Sequence, residues 1–308
     1  MEKPTSMADV ILATHKGCMD GSGCTIMFLR AGGKLENVHF VGAGMVERFI
    51  KRDLPKFGDK FVIFADIGLS GPDDGESFSS SQTKYADILE KRGNCILIDH
   101  HITSEHLKSR SWCDVRQEFC GTELLRQYLG LEDESSKALA ILIQDHDLWL
   151  MKDPRSVELA AFTVFVGQDI FVERFLNRDV SKEFFTPLEA EMMAIMIRRR
   201  DQFIAAAIKK VVIKDVTWGN GNIAKVGYIV SPEMNVSLLL DTLLTQHTEL
   251  DVGCQINFEK GAVSLRSRRG YDVSEMAKYF GGGGHKAASG HKISDTFVND
   301  IIEDIHGH

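Results

Sequence analysis

The sequence has no Cys-x-x-Cys pair, no long uninterrupted apolar run and no surplus of basic residues. Six cysteines at 18, 24, 95, 113, 120 and 254 lack the spacing of a zinc knuckle or a disulfide framework, so reduced and mostly buried thiols are expected. No apolar run approaches the ~20 residues of a membrane span, so no membrane partner is expected. The opening "MEKPTSMADVILATHKG" has neither a basic start nor a small-residue cleavage pattern; a cytoplasmic location is the expectation. A formal charge of −8 argues against coating long duplex nucleic acid, which needs a basic surface. A small phosphorylated ligand in a local basic pocket stays compatible. With 308 residues, 44% apolar and 26% charged, the chain has the composition of a soluble globular protein and room for two domains.

Up to about residue 150, apolar runs alternate with helical patterns, as in a mostly parallel α/β sheet with flanking helices. The strands are "DVILAT" (9–14), "NVHFVGAG" (37–44), "KFVIFADIG" (60–68) and "NCILIDHH" (94–101). "SSSQTKYADILEKRG" reads as a crossover helix with a serine cap and Gly93 past its end. Residues from about 153 to 212 read as helical, and short strands take over from about 213. The expected division is a first domain over 1–190, a helical linker over 191–212 and a smaller α/β domain over 213–308. In the last, Glu259, Lys260 and Gly261 form a hairpin turn.

Three apolar strands finish on metal-capable residues: His15, then Asp66, then Asp99 with His100 and His101. In an open parallel sheet the carboxyl ends of the strands line one crevice, so these residues converge in space. Asp20 follows in "HKGCMDGSGC", read as a glycine-punctuated loop able to bend back over that crevice. The helical "LIQDHDLW" offers Asp145, favoured because it directly follows the apolar stretch, with Asp147 in reserve; residues two apart on a helix do not share a face. Any one of these residues alone is an ordinary turn or cap residue. Their coincidence at several strand ends carries the argument. Mixed carboxylate and imidazole ligands suit manganese or magnesium before zinc or copper. Two ions bridged by Asp66 would activate water against a phosphorus centre, and an imidazole that does not ligate would bind phosphoryl oxygens or protonate the leaving group.

"LIDHH" resembles the defining motif of the DHH phosphoesterases, "FADIG" its second motif and "LIQDHDLW" its fourth. "VSLRS" followed by "VSEMAKYFGGGGHKAASG" is similar to the DHHA1 domain that accompanies many of them. The resemblance implies a parallel-sheet DHH domain linked by a helix to a smaller DHHA1-type domain that grips phosphate, with Mn2+ or Mg2+, two ions, in the first. It also implies His15, Asp20, Asp66, His100 and Asp145 as ligands and His101 as the substrate-facing imidazole. Asp99 would orient a histidine or join the metal shell. The first motif departs from the common Asp-x-Asp form, because Cys18 stands where the first aspartate falls. Its thiol either ligates, shifting preference toward softer ions, or stays silent and leaves one ion weakly held.

In the second domain, four glycines before His285 are read as a nest of free amides for an anion, with Gly283, Gly284 and His285 as substrate-binding residues. Arg266 and Ser267 at the end of "VSLRS", with Arg268, Arg269 and Lys286, supply local polarity and charge. The expected activity is metal-dependent hydrolysis of very short oligonucleotides or dinucleotides to mononucleotides, with a homodimer as a candidate state. The alternatives are a 3′-phosphoadenosine 5′-phosphate phosphatase, a cyclic-dinucleotide phosphodiesterase and a non-catalytic nucleotide sensor.

Overall fold

The apolar runs of the first third become a five-stranded, all-parallel sheet: β1 (Ile11–His15), β2 (Val38–Val41), β3 (Val62–Ala65), β4 (Cys95–Asp99) and β5 (Cys113–Val115). Their order is β2-β1-β3-β4-β5. The computed structural model describes residues 4–42, 45–69, 78–219, 221–232, 235–268 and 270–298; the side chains of residues 78–81, His285 and Thr296 lie outside that description. It divides into two compact units, Met1–Met193 and Ala194–His308.

Both faces of the first sheet are covered, as a parallel sheet requires. Ile11, Ala13, Val62, Phe64, Cys95 and Leu97 share one core with Tyr85, Ala86 and Leu89, while the intervening Leu12, Ile63 and Ile98 are also buried. The helices are α1 (Met19–Arg30), the short α2 (Val46–Arg48), α3 (Phe78–Arg92), α4 (Gly121–Leu129), α5 (Glu134–Asp147), α6 (Pro154–Val166) and α7 (Gln168–Leu176). The helix α3 begins before the serines read as its cap. Asp133 caps α5 through Ser136 N–H, and Asp153 caps α6 ahead of Pro154. The helix α8 (Pro187–Ile208) contains the division between the units, so residues 191–212 are not a separate linker element.

The second unit holds a six-stranded sheet in the order β10-β11-β9-β8-β7-β6. Its strands are β6 (Val212–Trp218), β7 (Asn222–Val230), β8 (Val252–Asn257), β9 (Ala262–Ser267), β10 (Gly283–His285) and β11 (Ala288–Lys292). Neighbours are antiparallel except β7 and β8, between which α9 (Val236–Gln246) runs. Leu239, Leu240 and Leu243 of α9 pack with Ile204, Ile208 and Ile229. Val226, Val252, Cys254, Ile256 and Leu265 pack with Val273, Met276 and Ala277 of α10 (Val273–Tyr279). Gly261, at φ +60°, turns the β8–β9 hairpin. All six cysteines are free, and among the described residues no helix is long and apolar enough to cross a membrane.

Candidate active site

Strand order reverses between β1 and β3, which is where open α/β sheets bind ligands, at the carboxyl ends of the strands. His15 is the last residue of β1, Asp66 immediately follows β3, and Asp99 ends β4 ahead of His100 and His101. Asp66 has φ +55°, a left-handed conformation uncommon outside glycine, while its N–H still bonds the Ile98 carbonyl. The His100 Nε2 atom lies 3.2 Å from Asp66 Oδ1, 3.6 Å from Asp20 Oδ2 and 3.5 Å from Asp147 Oδ2. Three acids therefore surround one imidazole. Asp20 arrives from the first turn of α1, which begins at Met19; the segment read as a loop is loop only up to Cys18.

The Asp20 carboxylate is gripped by the N-terminus of α4. Its Oδ2 accepts from Gly121 N–H and its Oδ1 from Thr122 N–H, both at 2.7 Å, and the Thr122 hydroxyl bonds the Asp20 carbonyl at 2.8 Å. Even so, burial, with the charges of Asp66 and Asp147 close by, pushes the Asp20 carboxyl up to about 8. Desolvation and Asp66 push Asp147 up to about 6. Burial opposes charge on His100, but Asp66, Asp20 and Asp147 outweigh it and carry its imidazole up to about 10.

Beside it sits a histidine–aspartate pair. Asp99 is fully buried, its Oδ1 is 2.7 Å from His101 Nδ1, and its Oδ2 accepts from Ser104 Oγ at 2.5 Å. Desolvation disfavours a charged His101, yet Asp99 raises it to about 9. On the other flank, the ligand-capable atoms of His15, Cys18 and Asp66 lie within 4.8 Å of one another. The loop carrying His15 and Cys18 is clamped by Gln168 at the start of α7. Its Oε1 accepts from Gly17 N–H at 3.0 Å and its Nε2 donates to the His15 carbonyl at 3.2 Å.

These donors fit a divalent cation. Asp66–His100–His101 and Asp20–His100–Asp147 are two further groups within the same limit, and a cation would offset the burial and the neighbouring charges that push the Asp20 and Asp147 carboxyls up. Residues 235–307 match the DHHA1 domain, beyond a first unit with the DHH edge just described. The chain is similar to the DHH/DHHA1 phosphoesterases, and its second unit carries the DHHA1 match. Its relatives include oligoribonuclease NrnB of Bacillus subtilis, 24% identical over 298 residues, covering 90% of this chain and 71% of that protein. A 3′,5′-cyclic-nucleotide phosphodiesterase of Helicobacter pylori is 40% identical over 86 residues, 26% of this chain and 24% of that one. Two solved structures share the fold. The DHH domain of a protein assigned to a family of ribosomal proteins matches with TM-score 0.56 and 15% identity, covering 96% of this chain and 84% of that one. A pGpG-specific phosphodiesterase of Vibrio cholerae matches with TM-score 0.53 and 10% identity, covering 96% and 97%.

Two expectations do not survive. Asp145 is not brought to the sheet edge: its carboxylate accepts from Lys152 N–H (2.9 Å), Asp153 N–H (3.1 Å) and Ser156 Oγ (2.6 Å), anchoring the turn into α6. Asp147, the last residue of α5, faces His100 instead. The glycine run is not a nest. Gly281 (φ +78°) donates to the Lys278 carbonyl and Gly282 to Ala277, which closes the end of α10, and Gly283 and Gly284 enter β10 against β11. The side chain of His285 and all of Arg269 lie outside the described residues. Ser267 Oγ donates to the Tyr271 carbonyl at 2.5 Å, and Arg268 pairs with Asp241. Arg266 donates to the Leu265 carbonyl and Ser237 Oγ, with no carboxylate partner among the described residues. Gly121, Thr122, Ser104 and Gln168 were not singled out from the sequence; only "CGT" ahead of a helical pattern hinted at a helix N-terminus.

Proposed function

We propose that the protein is a metal-dependent phosphodiesterase that hydrolyses very short oligonucleotides or dinucleotides to mononucleotides. The observation that carries this reading is the meeting of Asp20, Asp66, Asp147 and His100 beside the Asp99–His101 pair. The likeness to an oligoribonuclease over nine-tenths of the chain supports the substrate class. His15, Asp20, Asp66, His100 and Asp147 would hold manganese or magnesium, with Asp66 shared between two ions. Divalent ions bound there supply Lewis-acid activation of water and neutralise charge on the phosphoryl group. Asp99 holds the His101 ring and favours its protonated form, so this imidazole donates to the phosphoryl oxygens or the leaving oxygen. Arg266, partly buried with no carboxylate partner among the described residues, is the phosphate-binding cation of the second unit.

A second reading, a cyclic phosphodiester substrate, is favoured by the Helicobacter pylori relative. The test is turnover with Mn2+ on a panel of 5′-phosphorylated di- to pentanucleotides, cyclic nucleotides and 3′-phosphoadenosine 5′-phosphate. Mononucleotide release from the linear dinucleotides is expected, lost in a folded Asp66→Ala variant. Turnover confined to cyclic substrates would transfer the assignment to the second reading. Binding without turnover on every compound would make the protein a nucleotide sensor.

A further inference from the structure

We propose that Cys18 is a metal ligand and makes one ion position of this site selective for a thiophilic divalent cation, such as Zn2+ or Co2+, over Mg2+. The inference rests on the metal-dependent reading above. The donors divide unequally: His15, Cys18 and Asp66 offer nitrogen, sulfur and oxygen, whereas Asp20, His100 and Asp147 offer nitrogen and oxygen only. Thiolate donors favour softer ions, imidazole borderline ones and carboxylates harder ones, so the position with the sulfur is chemically distinct from the one dominated by carboxylates. Cys18 Sγ lies 3.2 Å from Asp66 Oδ2, on the carboxylate proposed to be shared.

Capping does not account for a sulfur at this place. Cys18 is the N-cap of α1 and accepts from Gly21 N–H at 3.2 Å, a role in which hydroxyl and carboxylate oxygens are preferred and sulfur is a weak acceptor. The convergence of His15 and Asp66 beside the sulfur supports ligation instead. Without an ion, the S–H donates to Asp66. On ion binding the S–H proton passes to solvent, the sulfur electron pair goes to the cation, and no oxidation state changes.

The experiment is optical. Metal-free full-length protein is titrated with Co2+, and wild type gains a near-ultraviolet sulfur-to-cobalt charge-transfer band. Cys18→Ser loses the band, and so does Cys18→Asp, which still binds Mn2+; Cys254→Ser, altered in the second unit, keeps it. Circular dichroism checks that each variant is folded, and Cys18→Asp serves if the serine variant is not. Co2+ bound without the band, no Co2+ bound at all, or a band undiminished in the Cys18 variants overturns the assignment. A Cys18-dependent band without hydrolysis of any dinucleotide leaves the ligand in place and removes the phosphodiesterase reading. Turnover with Mn2+ but no band has the reverse meaning.

Discussion

Replacing Gly121 by alanine tests how the acids of the site are held. On propensity alone the change is favourable, since alanine exceeds glycine by up to about 1 kcal/mol in a helix. Gly121 is not in the left-handed region, so its backbone accepts a side chain. The added Cβ, however, would lie 2.5 Å from Asp66 Cβ, 3.0 Å from Asp66 Cα and 2.9 Å from Asp20 Oδ2, well inside the contact distance of about 3.5–4.0 Å. Neither neighbour yields easily. Asp66 is tied to Ile98 at its unusual φ, and Asp20 is held by the very amides that would have to withdraw. Overpacking of this kind costs about 1–3 kcal/mol, which at its midpoint outweighs the propensity gain and leaves a net loss of about 1 kcal/mol. For a unit of this size that is a fall of about 2–4 °C in Tm by differential scanning calorimetry. Mn2+ affinity, measured by titration calorimetry, should fall by about tenfold or more as the carboxylate shifts. A Gly121→Ala protein with unchanged Tm, Mn2+ affinity and turnover would refute the packing of Asp66 and Asp20 against this helix start.

The two acids at the end of α5 should separate cleanly. Asp145→Ala strands two amides and a hydroxyl, costing about 2–3 kcal/mol of stability with Mn2+ binding near wild type, whereas Asp147→Ala should weaken Mn2+ binding with little loss of stability. Metal loss in Asp145→Ala alone would restore the sequence-based choice. Gln168→Ala removes the clamp on the His15–Gly17 loop; metal titration should show several-fold weaker binding at the His15 side, and unchanged affinity would mean the loop holds itself. His291 is packed between Phe280 and Phe297, and burial lowers its pKa below the ordinary 6.5, against the opposing pull of the Lys292 carbonyl. Below pH 6.5 the unfolded state therefore binds the proton first. The stability contribution is full above that pH and is lost as pH falls toward the lowered folded value. Urea midpoints should fall on acidification in wild type and fall less in His291→Phe; parallel slopes would remove His291 as the cause.

The sheet and its polar edge were legible because strand signals are local. A short apolar run with a fixed end determines both where a strand stops and which residue emerges there, so His15, Asp66 and His100 could be read from position alone, and they meet at one edge. The three-residue β5, with Asp114 at its centre, gave no such run. A helix end is different. Asp145 and Asp147 differ by about 200° of helical rotation, and which one faces the sheet depends on where the helix stops and on what the other meets. Here the other meets Lys152, Asp153 and Ser156, a tertiary outcome of the turn that follows. The glycine run misled for a related reason: composition signals conformational freedom, but a helix with unsatisfied carbonyls used the first two amides before any anion could. The grip on Asp20 was out of reach altogether, because its donors lie about a hundred residues away, on a helix start that is chemically silent until it is folded against the acid. Residues that bear the charge can thus be read from local pattern, while the residues that make the charge tolerable belong to the packing.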